Sequence, residues 1–181
     1  MYNNFKIIFW AVLVSAGLNP LKAEVKDSSA AGFTIQDTMI IAENPDMVYY
    51  SLVVDISLWW DSAHTFSGNA GNLSIDDRAG GCFCEKLDNG GSVRHLEVVF
   101  AEPGKTLRMI GGLGPLQSMA VTGSMTWLLS KAETGTNVKV TYTIGGYLPG
   151  GLQKMAPLVD KVIGEQLKRL KDYIEVKPVT K

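Results

Sequence analysis

Thiols and imidazoles are scarce in this chain: two cysteines and two histidines stand among 181 residues. A structural zinc site takes four ligands, usually as two spaced pairs. Cys82, Cys84 and His95 offer three, and His64 lies far upstream in a loop-like stretch, so no metal is expected. An excess of basic charge is missing as well. Seventeen Lys and Arg against 18 Asp and Glu leave a formal charge of −1, with no basic stripe interleaved with aromatics. That excludes a nucleic-acid surface. Long apolar runs are also lacking. The one apolar run near the start, residues 7–18, falls short of the ~20 residues a spanning helix needs, and nothing later is longer. There is no internal repeat and no low-complexity block.

What is present begins with that short run. "MYNNFK" is a polar start carrying Lys6, "IIFWAVLVSAGL" is uncharged and apolar, and "NPLKA" brings Pro20 and a small residue at Ala23. This order reads as a secretory signal peptide over residues 1–23. Its removal takes away Lys6 and Lys22 and moves the formal charge from −1 to −3. The protein is therefore expected to be exported, to a periplasm or to the outside. The remaining ~158 residues suit one domain with a sizeable core. Residues 24–32, "EVKDSSAAG", read as a flexible lead-in, and residues 176–181 as a short tail.

Between them the pattern changes twice. "FTIQDTMII" (33–41) alternates and is β-branched, so it reads as a strand. In "AENPDMVYYSLVVDISLWW", Asn44 is a good N-cap and Pro45 sits where its missing N–H costs nothing. "SLWWDS" suggests a second short helix. Six strand-like runs follow, separated by "DNGG", "EPG", "GGLGPL" and "ETGT", which turn for stated conformational reasons. Strands joined by such short turns are antiparallel neighbours. The last element, near the C-terminus, places Leu158, Val162, Leu167, Leu170 and Ile174 on one stripe, widened by Val159 and Ile163. That is an amphipathic helix with Lys168, Arg169 and Lys171 toward its C-terminal end. The class is α+β.

This order resembles the helix-grip fold of the START-like superfamily (SRPBCC), which includes polyketide cyclases and birch-pollen-allergen-like proteins. The resemblance rests on "IIAENPDMVYYSLVVDISLWW", the glycine pair of "DDRAGG", "EVVFAEPGKTLRM", "GTNVKVTYTIGGY" and the final helix, and covers residues 33–175. It implies a curved antiparallel sheet of about seven strands around a long C-terminal helix, enclosing a mostly apolar cavity. Strand alternation nominates the lining: Leu107 and Met109; Met125 and Trp127; Val140 and Tyr142; and Arg94 with Leu96, Val98 and Phe100. On the helix, Val159 and Ile163 face the same way. The resemblance puts the loop of Trp59 and Trp60 at the cavity mouth, turns Phe83 and Glu85 inward, and leaves Cys82 and Cys84 on the outer face. Glu85 and Arg94 then either pair with each other or orient a ligand's polar head.

The thiols have competing readings. In an extended strand, Cα atoms two apart are ~6.6–6.8 Å distant, the outer limit for a disulfide, so an internal Cys82–Cys84 bridge is not expected. Nucleophilic catalysis needs a base oriented on the thiolate, and the hairpin register that would bring His95 there is not fixed by "EKLDNGGSVRHL". The leading expectation is a binding protein for a hydrophobic or amphipathic small molecule, without cofactor. The alternatives are a cyclase- or hydratase-like enzyme using Glu85, Arg94, Tyr142 or His95, or a modulator of a protein partner. Fold alone does not choose.

Overall fold

The structure, a computed structural model, describes residues 24–176. The expected signal peptide of residues 1–23 and most of the expected C-terminal tail therefore lie outside the described residues.

Residues 24–32 are not a loose lead-in: Glu24–Ser29 form strand β1, which turns at Ala30 and Ala31 and pairs antiparallel with β2, Gly32–Ile41. Strand β2 alternates buried and half-buried positions along its whole length, as its sequence predicts. Helices α1 (Pro45–Val53) and α2 (Ile56–Trp59) follow. The Asn44 side chain accepts the Met47 N–H at 3.0 Å and so caps α1, with Pro45 in its first turn. Six strands complete the sheet: β3 (Leu73–Ile75), β4 (Cys82–Lys86), β5 (Ser92–Glu102), β6 (Thr106–Ile110), β7 (Ala120–Ala132) and β8 (Gly135–Tyr147). At the β5–β6 turn, Gly104 has φ +75°, a conformation that favours glycine, and a Cβ there would press on Asp46 Oδ1.

The result is one eight-stranded antiparallel sheet in the order β1-β2-β8-β7-β6-β5-β4-β3. The helical segment carries the chain from β2 to the far edge. Five short turns bring it back until β8 pairs with β2, residue for residue, from Gly32↔Gly145 to Ile41↔Thr136. One more strand is present than the sequence suggests, and it is β1. Helix α3, Ala156–Val176, then lies along the inner face, chiefly over β2. The sheet and this helix make an α+β helix-grip architecture, as expected. Helix α3 includes Val176, the last described residue.

The core lies between helix and sheet. Ile35, Ile41, Val98, Leu107, Val138, Val140 and Leu167 are all fully buried. Each contributes roughly 1.5–3 kcal/mol through burial. Among the described residues no helix is long and apolar enough to cross a membrane.

Candidate functional site

The inward lists fill most of the space between sheet and helix with side chains. Trp59, Phe83, Leu96, Val98, Leu107, Met109, Met125, Trp127 and Val140 are buried in one continuous core. Trp59 meets Trp60 and Trp127 with ring centroids 5.5 and 6.5 Å apart, and Trp60 meets Phe83 at 5.2 Å. The open space is at one end. A cavity of about 360 Å³ lies among the first half of α3, the loop after α2, and the segment between β6 and β7. Met155, Leu158, Val159, Val162 and Ile163 come from α3 and the residue before it, Trp60, Ala63, His64, Thr65 and Phe66 from the loop, and Leu113 to Leu116 from the segment. Tyr142 reaches it from β8. Of the residues nominated from the sequence, Trp60, Tyr142, Val159 and Ile163 line this cavity; the others are buried in the core, apart from Arg94 and Phe100.

Apolar groups dominate the wall. Tyr142 Oη donates to the Gly111 carbonyl at 2.8 Å and accepts the Leu113 N–H at 3.0 Å, so it pins the β6–β7 segment. Burial pushes its hydroxyl up to about 12, and it stays protonated. Polar character gathers at the rim, where His64 Nε2 lies 3.8 Å from Glu165 Oε2. Phe66 and Leu158 are 55 % and 59 % exposed there, which leaves an apolar lip.

Two helix side chains hold the loop in place. Gln166, fully buried, accepts the Asp61 N–H through Oε1 at 2.9 Å, and Arg169 Nε donates to the Trp59 carbonyl at 2.9 Å. A third anchor comes from the sheet. Glu85 accepts the Phe66 N–H at 3.0 Å, the Ser67 N–H at 2.5 Å and His95 Nε2–H at 2.9 Å. Burial alone would raise its carboxyl, but these donors outweigh burial and hold it below the usual carboxylate range. Burial depresses the His95 imidazole against the pull of Glu85, which keeps it neutral, with Nε2 as the donor. Its ring lies 5.8 Å from Phe66, nearly parallel, and 5.0 Å from Phe83.

Three expectations are corrected here. Arg94 does not point inward: it is exposed and pairs with Glu97 at 2.9 Å, so Glu85 has His95 as its partner. Phe100 is also outward, 45 % exposed, because a bulge after Val98 resets alternation in β5. Cys82 and Cys84 do sit on the outer face, yet they are bridged. The expected separation assumed a fully extended strand; in the bridged β4 their Cα atoms are 5.4 Å apart, well inside the range a disulfide accepts.

Sequence reading missed a further pair. Asp37, in the middle of β2, is fully buried, and neither of its carboxylate oxygens has a hydrogen-bond partner among the described residues. Burial, and then the charge of Asp160 on α3, push its carboxyl up to about 7. The signal was a lone acid at an inward position of an alternating strand. Among the described residues no group of three His, Cys, Asp or Glu could hold a metal ion.

No family model and no curated protein matches the chain. Solved structures do resemble it. A protein of Mesorhizobium loti shares 18% identity at a TM-score of 0.58, over 81% of this chain and 99% of its own. An uncharacterized protein of Rhizobium leguminosarum shares 17% at 0.57, over 84% and 100%. A Mycobacterium smegmatis protein shares 13% at 0.58, over 88% and 99%. Likeness at this level of identity extends to the fold: an antiparallel sheet closed by a C-terminal helix, spanning nearly the whole length of each relative.

Proposed function

We propose that this protein is an exported member of the START-like (SRPBCC) superfamily that binds a hydrophobic or amphipathic small molecule. The observation that carries the reading is the cavity of about 360 Å³ between α3 and the two segments facing it. Its size is at the lower end of small-molecule sites, and such sites are mostly apolar with few polar groups. The ligand's apolar body lies against Val159, Val162, Ile163 and Leu116, and its polar end meets the rim at His64. Binding is favoured over the cyclase- or hydratase-like alternative by the state of the four acid–base candidates that alternative named. Glu85, His95 and Tyr142 are committed to hydrogen bonds within the chain, and Arg94 is on the outside. General acid–base work needs such a group within reach of the substrate. Export is supported by the Cys82–Cys84 bridge, because disulfides persist in oxidising compartments.

Native mass spectrometry of the protein purified from its own host without detergent tests the reading. A small molecule carried at one per chain is the expected result, and N-terminal sequencing of that material should begin near Glu24. Protein that is empty and stays unoccupied when incubated with a lipid extract of the host would count against it.

A further inference from the structure

The disulfide and the buried histidine occupy opposite faces of the same bulge. Between β4 and β5 the register runs Cys82↔Glu97 and Phe83↔Leu96, and then jumps to Cys84↔Arg94. His95 is the extra residue on β5. An extended strand would separate residues 82 and 84 by ~6.6–6.8 Å at the Cα atoms, whereas the bridge holds them at 5.4 Å. Strand β4 is thus shortened where β5 is one residue too long. The consequence is visible in burial: His95 and Leu96, neighbours in sequence, both point inward, which alternation forbids in a regular strand. Only that inward turn lets His95 reach Glu85, and Glu85 holds the Phe66 and Ser67 N–H groups of the loop that lines the cavity. The arrangement is not fully satisfied, since buried His95 Nδ1 has no hydrogen-bond partner among the described residues.

The bridge is also open to chemistry. Cys82 and Cys84 are half-buried on the outer face, next to an edge strand of three residues whose Ser74, opposite Cys84, is exposed. Across the other ladder, Cys84 lies opposite Arg94 and Cys82 opposite Glu97, which pair with each other at 2.9 Å on the exposed face.

We propose that the Cys82–Cys84 bridge is a reversible redox site whose state sets the β4–β5 bulge, and through His95 and Glu85 the hold on the cavity loop at Phe66. The reductant is a protein or small-molecule dithiol. Its thiolate attacks one sulfur of the bridge, the Cys82–Cys84 bond breaks, and a mixed disulfide forms. The second thiolate of the reductant then displaces the protein sulfur. The dithiol leaves as its own disulfide, and two electrons and two protons end on Cys82 and Cys84. With the tether gone, β4 relaxes toward its full extension, and His95 loses its seat on Glu85.

The test follows the protein itself and so stands apart from ligand binding. The full chain is held in oxidised or reduced dithiothreitol, with the bridge state read by mass, a difference of about 2 Da for two hydrogens. NMR then records the His95 ring nitrogens and the amide exchange of Phe66 and Ser67. Reduction is expected to shift the His95 signals and to speed exchange at Phe66 and Ser67 by about tenfold or more, while the β7 and β8 amides stay protected. Reoxidation should reverse both changes, and the Cys82→Ser/Cys84→Ser double variant should show the reduced pattern in either buffer. Should that variant not fold, the reduced natural chain decides alone. The proposal is overturned by free thiols in protein isolated under oxidising conditions, or by a bridge that survives excess dithiothreitol. It is equally overturned by reduction that leaves His95, Phe66 and Ser67 unchanged, or by a loss of protection throughout the sheet, which makes the bridge a structural staple only.

Discussion

Glu85 bears more of the site's geometry than any other side chain, because one carboxylate satisfies three donors from two distant segments. Replacing it by glutamine removes the charge and strands at least one donor. Glu85→Gln should cost about 1–3 kcal/mol in urea unfolding, the cost of leaving a buried hydrogen-bonding group unsatisfied, and should expose the Phe66 and Ser67 amides to exchange. The pH dependence has a defined sign. The folded His95 resists protonation, so the unfolded chain takes the proton first, and stability falls as pH drops below about 6.5. Glu85, depressed in the fold, contributes stability that is lost at lower pH still, as its own carboxyl is protonated.

Asp37 acts in the opposite sense. Its carboxyl is pushed up to about 7, so the folded chain holds a proton that the unfolded chain releases near pH 4. Its contribution is complete below that point and is lost as pH rises through about 7. Asp37→Asn should therefore stabilise the protein more at pH 8 than at pH 4, by about 1–3 kcal/mol. Urea curves at the two pH values decide it; an equal effect at both would remove titration as the cause. At this scale the sequence was least legible. His95 and Arg94 exchange faces because of one bulged residue, and nothing in "SVRHLEVVF" marks where a bulge falls.

At the scale of elements, α3 is both wall and clamp. Its apolar stripe was readable from spacing alone, and Val159 and Ile163 are indeed turned to the inner side. Its polar anchors were not, because Gln166 and Arg169 look like ordinary surface residues in a helical repeat until a loop is folded against them. Gln166→Leu keeps the helix and its packing volume but leaves the Asp61 N–H without its acceptor. Faster exchange at Asp61 and a several-fold loss of affinity for an apolar probe are expected, with the helix content unchanged by circular dichroism. Unchanged exchange at Asp61 would show that Arg169 alone suffices. The α1 cap was legible, since Asn44 followed by Pro45 states its own mechanism. Strand β1 was not. "EVKDSS" has no apolar alternation, and it becomes a strand only because β2 presents an unpaired edge to it.

For the whole molecule, the order of elements and the inward faces of β6, β7 and β8 followed from turn residues and alternation. The cavity did not. Large inward side chains nominate a lining equally well whether they surround space or fill it, and here Trp59, Trp127, Phe83 and Met109 fill it. The cavity of about 360 Å³ lies where segments without regular alternation, the loop after α2 and the turn between β6 and β7, meet α3. The most direct test of a ligand-binding role is a native mass spectrometry titration of the full chain with a medium-chain fatty acid and with a naphthalene-class aromatic, alongside Val159→Trp. Our account predicts one bound molecule per natural chain for at least one probe, and at least about tenfold weaker occupancy when the indole fills the cavity. No complex with either probe, or a complex that Val159→Trp leaves unchanged, would contradict it.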